Sequence, residues 1–411
     1  MTILPPPVER PISALQPAPF AVRPRGAVIL GGAHGAIALA RSLKRRGLRV
    51  VLVTDDTPLP GFSSAIDRKI TWPGSASDEA LGRLEQIAQD HDLHGYLLVP
   101  AADADVRFAA MAHDRLSSTF SVLLPDWDSL QWACDKGLAY DRAEELGLSV
   151  PRIYRIASLD DARHADLQFP VVLKPTMRVS RNRFTSEKAW RVDDWGQFQT
   201  LYQEAVSLVG AKNIVVQEMV VGDGRSQLSY AGLWHKGEPV IGFTATRLRQ
   251  YPVEFSYTST YVETSVEPEV VAASEKFLRS IGHHGLVEIE YKRDSRDGRL
   301  KLLDINPRPW SWFALADAAG IDFGAAILAL ACGEAVPVMT AMPSIGWMFL
   351  VRDIVASAQT WRHGTLRPRD YFASWLRTRS FATFSWRDPL PALIEMPLTV
   401  WRVIGRRLKA H

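Results

Sequence analysis

The chain has 411 residues, too many for one ordinary hydrophobic core, so two or three domains are expected. Apolar residues make up 47% and charged residues 23%, with a formal net charge of +3, a balance that suits a globular protein and does not call for nucleic acid. Cys134 and Cys332 form no metal-ligand spacing and exclude a disulfide scaffold, and no apolar run is long enough to span a bilayer.

Residues 1–24 carry seven prolines and read as a disordered lead-in without the apolar core of a secretory signal, so a cytoplasmic protein is expected. A buried-strand run, Ala27 to Leu30, opens into Gly31-Gly32-Ala33-His34-Gly35. A helical stretch through Leu39, Leu43 and Arg46 ends at Gly47, and a strand from Val50 to Thr54 closes on Asp55-Asp56. Another strand, Tyr96 to Val99, leads past Pro100 to Asp103 and Asp105. This βαβ texture predicts a doubly wound α/β domain over 25–125. The glycine turn tempts one toward a nicotinamide site with Asp55 or Asp56 on the ribose, but its spacing departs from the fingerprint and a tight turn lining a cleft fits better. Asp103 and Asp105 read first as caps of the following helix, and otherwise as contacts to a substrate amine.

From Asp126 the texture changes. A helix carrying Lys136 comes first, then an apolar strand, 170–173, delivering Lys174-Pro175. The strand Asn213 to Gln217 runs into Glu218-Met219-Val220-Val221-Gly222-Asp223-Gly224, whose backbone could bond a base edge. Strands at 228–234 and 239–246 alternate like an antiparallel sheet, and Gly285 to Tyr291 pairs with Leu300 to Ile305 as a hairpin. Glu290, Asp304 and Asn306 converge across that hairpin, a set of hard oxygens suited to Mg²⁺ with waters and phosphates completing its shell. A solvated hairpin edge is the plainer alternative. Arg308 could fork onto a phosphoryl or carboxylate oxygen, while Lys136 and Lys174 would make a positive cradle for a triphosphate. His283 and His284 point to opposite sides of a strand and read as packing residues. Trp310 and Trp312 either wall a pocket or pack the core.

The order Lys136, Val172-Leu173-Lys174-Pro175, Gln217-Glu218, Glu290 and Asp304-Ile305-Asn306-Pro307-Arg308 resembles the ATP-grasp superfamily over residues 25–335. Arg247-Leu248-Arg249-Gln250-Tyr251-Pro252, Glu263 and the basic C-terminus make it most similar to predicted carboligases related to D-aspartate ligase. The resemblance implies a Rossmann-like pre-ATP-grasp domain at 25–125, a two-lobed ATP-grasp domain at 126–335 and a basic helical C-terminal appendage at 336–411. It implies ATP with Mg²⁺, or Mn²⁺ in its stead, and small carboxylate and amine substrates joined through an acyl phosphate. Lys136 and Lys174 would meet the α- and β-phosphates. Glu218, Met219 and Val220 or Val221 would form the adenine hinge, with Asp223 near the ribose. Glu290, Asp304 and Asn306 would hold the metal, Arg308 would steady the transferred phosphoryl group, and Arg247 and Arg249 would face the γ-phosphate or the substrate carboxylate. Two departures stand out. Many relatives carry Glu at the position of Asp304, and the segment after Lys174 reads Arg178-Val179-Ser180-Arg181-Asn182-Arg183 without the usual glycines. Lys188 could join that basic cluster.

Residues 336–411 hold eleven Lys or Arg against four Asp or Glu. Leu393, Ile394, Pro397, Trp401, Ile404 and Leu408 near one helical face suit either a docked terminal helix or a peripheral membrane helix over 390–411. A homo-oligomer is left open. Three rivals remain: a kinase or carboxylase on the same clamp, an ATP-holding protein at the membrane surface without turnover, and a dehydrogenase using the first domain.

Overall fold

The computed structural model describes residues 23–55, 59–175, 182–186, 189–252, 258–362 and 366–398. The first of its three sheets is wholly parallel, ordered β3-β2-β1-β4-β5. Its strands are β1 (Gly26–Leu30), β2 (Arg49–Thr54), β3 (Arg68–Thr71), β4 (Leu97–Pro100) and β5 (Ser121–Val122). Successive side chains of a strand point to opposite faces, and here both faces are covered: Val28 and Leu30 enter one core, Ala27 and Ile29 another. The strand order reverses between β1 and β4, which opens a crevice at their carboxyl ends. β1 turns there through Gly31 and Gly32, both at positive φ, into the helix His34–Arg45.

The second sheet is antiparallel, ordered β6-β9-β7-β8, with β6 (Ile153–Tyr154), β7 (Val171–Pro175), β8 (Trp190–Val192) and β9 (Ile214–Glu218). It has a core of its own. Phe198 and Tyr202, on the helix Trp195–Val209, pack with Val171, Leu173 and Val216. Asp194 starts that helix by accepting from the Gln197 amide at 2.9 Å.

The third sheet is ordered β14-β13-β10-β11-β12-β15-β16. It comprises β10 (Gln227–His235), β11 (Glu238–Tyr251), β12 (Thr258–Ser265), β13 (Gly285–Arg293), β14 (Leu300–Asn306), β15 (Gly346–Met348) and β16 (Thr378–Phe381). Its residues share both large cores with the first sheet: Ile289 packs in the cluster of Val28, and Leu233 and Phe243 in the cluster of Ile29, where Trp310 and Trp312 join them from beyond β14. The two tryptophans are therefore core residues. His283, in the turn before β13, is also buried.

The C-terminal segment corrects an expectation. It is not helical throughout, because β15 and β16 extend the third sheet beyond β12 and bury Trp347 and Met348 completely. A free β12 edge would leave a row of unpaired backbone groups, and these strands cover it. Helices Leu350–Arg362 and Pro368–Arg377 and a helical run at 390–398 complete the segment. Asp388 clasps Arg41 of the helix His34–Arg45 at 2.8 Å, and Glu395 meets His34 Nε2 at 2.7 Å. The lead-in as far as residue 22 and the tail from 399, with Trp401, Ile404 and Leu408, lie outside the described residues.

Candidate functional site

The β13–β14 hairpin pairs Glu288 with Asn306 and Glu290 with Asp304. The Asn306 amide lies 3.4 Å from both Glu288 Oε2 and Glu290 Oε1, and Arg308 donates to Asn306 Oδ1 at 3.1 Å. Glu290 is ion-paired with Arg247, which also donates to Ser259 Oγ at 2.6 Å. Glu288 was not anticipated. It is buried beneath the site, where it accepts from Trp312 Nε1 at 2.9 Å and from Ser229 at 3.2 Å. Burial, with the charge of Glu290 added, pushes its carboxyl up to about 7 against the pull of Arg247 and Arg308. The signal was present in the Glu-x-Glu spacing, which puts both acids on one face of β13.

Both lysines line one cleft with this hairpin. Asp135 caps the helix Lys136–Glu145 through the Leu138 amide at 3.0 Å, which sets Lys136 in its first turn. Burial works against the Lys136 ammonium, but Asp304, Tyr140 and Glu290 outweigh it and raise its pKa above the ordinary lysine value. Lys174 ends β7 and donates to Gln217 Oε1 on neighbouring β9 at 2.6 Å. Gln217 Nε2 donates to the Tyr140 hydroxyl at 3.3 Å, which donates in turn to the Leu303 carbonyl at 3.1 Å. A chain of polar contacts thus joins the second sheet to β14.

The segment 218–224 lines the same cleft, whose volume is about 720 Å³. Its acids have other partners, however. Glu218 accepts from Arg296 at 2.5 Å, from Lys301 at 2.7 Å and from the Arg152 amide at 3.1 Å. Burial opposes the charge of nearby Asp294, yet hydrogen bonds from Arg296 and Lys301 hold its carboxyl well below the usual carboxylate range. Arg296 also donates to the Met219 carbonyl at 3.2 Å, and the Ser295 amide to the Val221 carbonyl at 2.9 Å. The loop 294–298 therefore braces the segment 218–221. Asp223 caps a short turn by accepting from the Arg225 amide at 2.9 Å.

Arg247 and Arg249 diverge in their partners. Arg249 forks onto both oxygens of Asp353 at 2.9 and 2.8 Å, donates to Ser374 Oγ at 3.0 Å and lies 4.3 Å from the Tyr261 ring centroid. Its charge is thus matched by the C-terminal helices, which also line the cleft with Asp370, Ser374 and Arg377. Arg377 donates to Glu263 at 3.1 Å.

The helix Asp103–Met111, which follows β4, enters the site through Asp103, which pairs with Arg308 instead of capping that helix. Asp105 is buried, and burial pushes its carboxyl up to about 7, with a Ser75 hydrogen bond opposing. Its Oδ2 lies 2.0 Å from where a Cβ on Gly31 would stand. A Cβ on Gly35 would lie 2.6 Å from the Pro309 and Trp310 carbonyl oxygens. The glycine turn is therefore filled by protein, with a carboxyl where a pyrophosphate would need positive charge. Arg183 pairs with Glu204 at 2.5 Å within its own lobe. Asp56, Arg178, Ser180, Arg181 and Lys188 lie outside the described residues.

The donors fit a metal that arrives with a nucleotide. Among the described residues no three His, Cys, Asp or Glu gather as a closed cage. Two carboxylates and an amide on one hairpin would leave half of an octahedral shell to water and phosphate.

No family model matches the chain. It is 23% identical over 304 residues to the D-aspartate ligase of Enterococcus faecium (strain Aus0004), covering 68% of this chain and 70% of that enzyme. The L-amino acid ligase from Bacillus licheniformis superposes with a TM-score of 0.59 at 17% identity over 79% of each chain. The biotin carboxylase domain of Hydrogenobacter thermophilus 2-oxoglutarate carboxylase, solved with MgADP and bicarbonate, gives 0.59 at 13% identity over 79% of this chain and 74% of that one. At such identities the structural likenesses speak for the fold.

Proposed function

We propose that this chain, built on the ATP-grasp fold, is an ADP-forming ligase that joins a small carboxylate to an amine. One observation carries the reading. Glu290, Asp304 and Asn306 converge on one hairpin, Lys136 is drawn to Asp304 and Glu290, and Lys174 is tied to β14 through Gln217 and Tyr140. The likeness to enzymes named as amino acid and D-aspartate ligases supports it.

In this reading Lys136 and Lys174 hold the phosphates, and Glu290, Asp304 and Asn306 hold Mg²⁺. Bound Mg²⁺ would neutralise charge on the phosphoryl oxygens. The backbone of 219–221 meets the adenine edge, because the Glu218 carboxylate is committed to Arg296 and Lys301. Arg247 shifts from Glu290 toward the transferring phosphoryl group, and Arg308 steadies the acyl phosphate. A carboxylate oxygen attacks the γ-phosphorus and ADP leaves. The amine then attacks the acyl carbon, phosphate leaves and the amine loses a proton. Glu288, hydrogen-bonded to Asn306 from below, helps to hold that amide in place.

The test is a product assay with candidate acids and amines, chiefly amino acids. ADP and phosphate should appear in step with amide, and hydroxylamine in place of the amine should yield a hydroxamate. AMP with pyrophosphate would refute the chemistry. ADP formed with neither amide nor hydroxamate would point to a kinase instead.

A further inference from the structure

Two helices of the C-terminal segment are built inside out. On Leu350–Arg362 the buried residues are Asp353, Ala356 and Ser357, all polar or small. Val351, Ile354, Val355, Ala358 and Trp361 recur at helical spacing on the outward side. Pro368–Arg377 repeats the pattern, with Ser374 buried and Phe372, Trp375 and Leu376 exposed. Trp386, 90% exposed, follows in the loop before 390–398. A surface helix ordinarily does the reverse. The polar inward sides have a reason in the site, since Asp353 and Ser374 both receive Arg249. Nothing in the site accounts for the apolar outward sides, and an exposed apolar stripe along a helix marks a place of contact.

Charge selects the occupant. Of the four acids in 336–411, Asp353 is buried on Arg249, Asp388 on Arg41, and Glu395 is turned in to His34. Asp370 alone is exposed. Arg362, Arg367, Arg369, Arg379 and Arg387 are all exposed. Two copies of so basic a face would repel, whereas an anionic surface would attract it. Tryptophan favours the headgroup layer of a bilayer, and arginine its phosphates. Helices of 13 and 10 residues are too short to cross, so the contact is with the surface.

We infer that the outward face of Leu350–Arg362 and Pro368–Arg377, with Trp386, rests on an anionic lipid bilayer. This contact is independent of the tail beyond residue 398 and does not require the proposed ligase activity. Full-length protein should sediment at low salt with phosphatidylcholine vesicles containing roughly a third phosphatidylglycerol, and not with phosphatidylcholine alone. Added salt should release it. Phe372→Ser with Trp375→Ser should cut the bound fraction at least about tenfold, and Arg369→Glu with Arg379→Glu should do likewise. Both pairs should keep the melting temperature and MgATP affinity, since these side chains face away from the cleft. Absence of binding, or equal binding to both vesicle types, overturns the inference. So does loss of binding on Trp401→Ser with Arg406→Glu but not with the helix variants, which would assign the contact to the tail. A dimer in sedimentation that the Phe372 and Trp375 substitutions dissolve would make a second copy the occupant, and would overturn it too.

Discussion

Arg249 shows how strongly a charge in this cleft depends on its partner. Its guanidinium and the Asp353 carboxylate are both almost fully withdrawn from water, at 7% and 0% side-chain exposure. Such a pair is stable only as a pair: removing one member strands the other without solvent. Asp353→Ala should therefore cost about 3–5 kcal/mol in denaturant unfolding. Arg249→Met combined with Asp353→Leu should recover most of that loss, since apolar groups of similar volume replace a buried pair at little cost. A double variant no more stable than Asp353→Ala would mean that Arg249 contributes something besides this contact. The partner of Arg249 could not be read from the Arg-Leu-Arg motif. The sequence shows two arginines two positions apart, but Asp353 stands 104 residues beyond Arg249. Asp103 and Arg308 are 205 apart, so a carboxylate that reads as a helix cap turns out to belong to the site.

At the scale of elements, legibility follows sequence distance. The β13–β14 hairpin brings Glu290 and Asp304 together by local pairing, so strand period and turn length were enough to foresee it. β9 leaving into a glycine-bounded segment is legible in the sequence, but the bracing of that segment is not, because Arg296 and Lys301 reach Glu218 from 78 and 83 residues away. The turn before β13 yields a prediction of its own. Burial, aided by the neighbouring His284, lowers the His283 imidazole to about 3, and burial with His235 lowers His284 to about 4. Unfolded histidine titrates near about 6.5, so the folded state binds fewer protons below that value. Their stabilising contribution is whole above about pH 6.5 and declines as pH falls toward these depressed values. His283→Gln, neutral at every pH, should thus lose less melting temperature than wild type between pH 7.5 and pH 5. Parallel losses in the two proteins would show that His283 is already charged, or free to charge, in the fold.

Across the whole molecule, the three sheets do not stand on equal terms. The first and third share both large apolar clusters, so neither can open without exposing the other's core. The second sheet and its helix keep a separate cluster around Phe198, Tyr202 and Val216. Its links to the rest include the contacts Lys174–Gln217–Tyr140 and the ion pairs of Glu218 with Lys301 and Arg296. Polar contacts of this kind contribute about 1 kcal/mol each, far less than a shared core. The second sheet should therefore open as a unit while the other two stay folded. Hydrogen exchange tests this directly. Amides of β7 and β9 should exchange at a lower opening free energy than those of β1, β2, β10 and β13. On the proposed placement MgATP would lie between the second sheet and the β13–β14 hairpin, and should protect β7 and β9 by up to about 2.7 kcal/mol at a hundredfold excess over its dissociation constant. The slow strands of the first sheet should change less if they already exchange through local routes. Uniform exchange over all three sheets would make the molecule a single cooperative body. Protection by MgATP confined to the first sheet would move the nucleotide to the glycine turn and away from the hairpin.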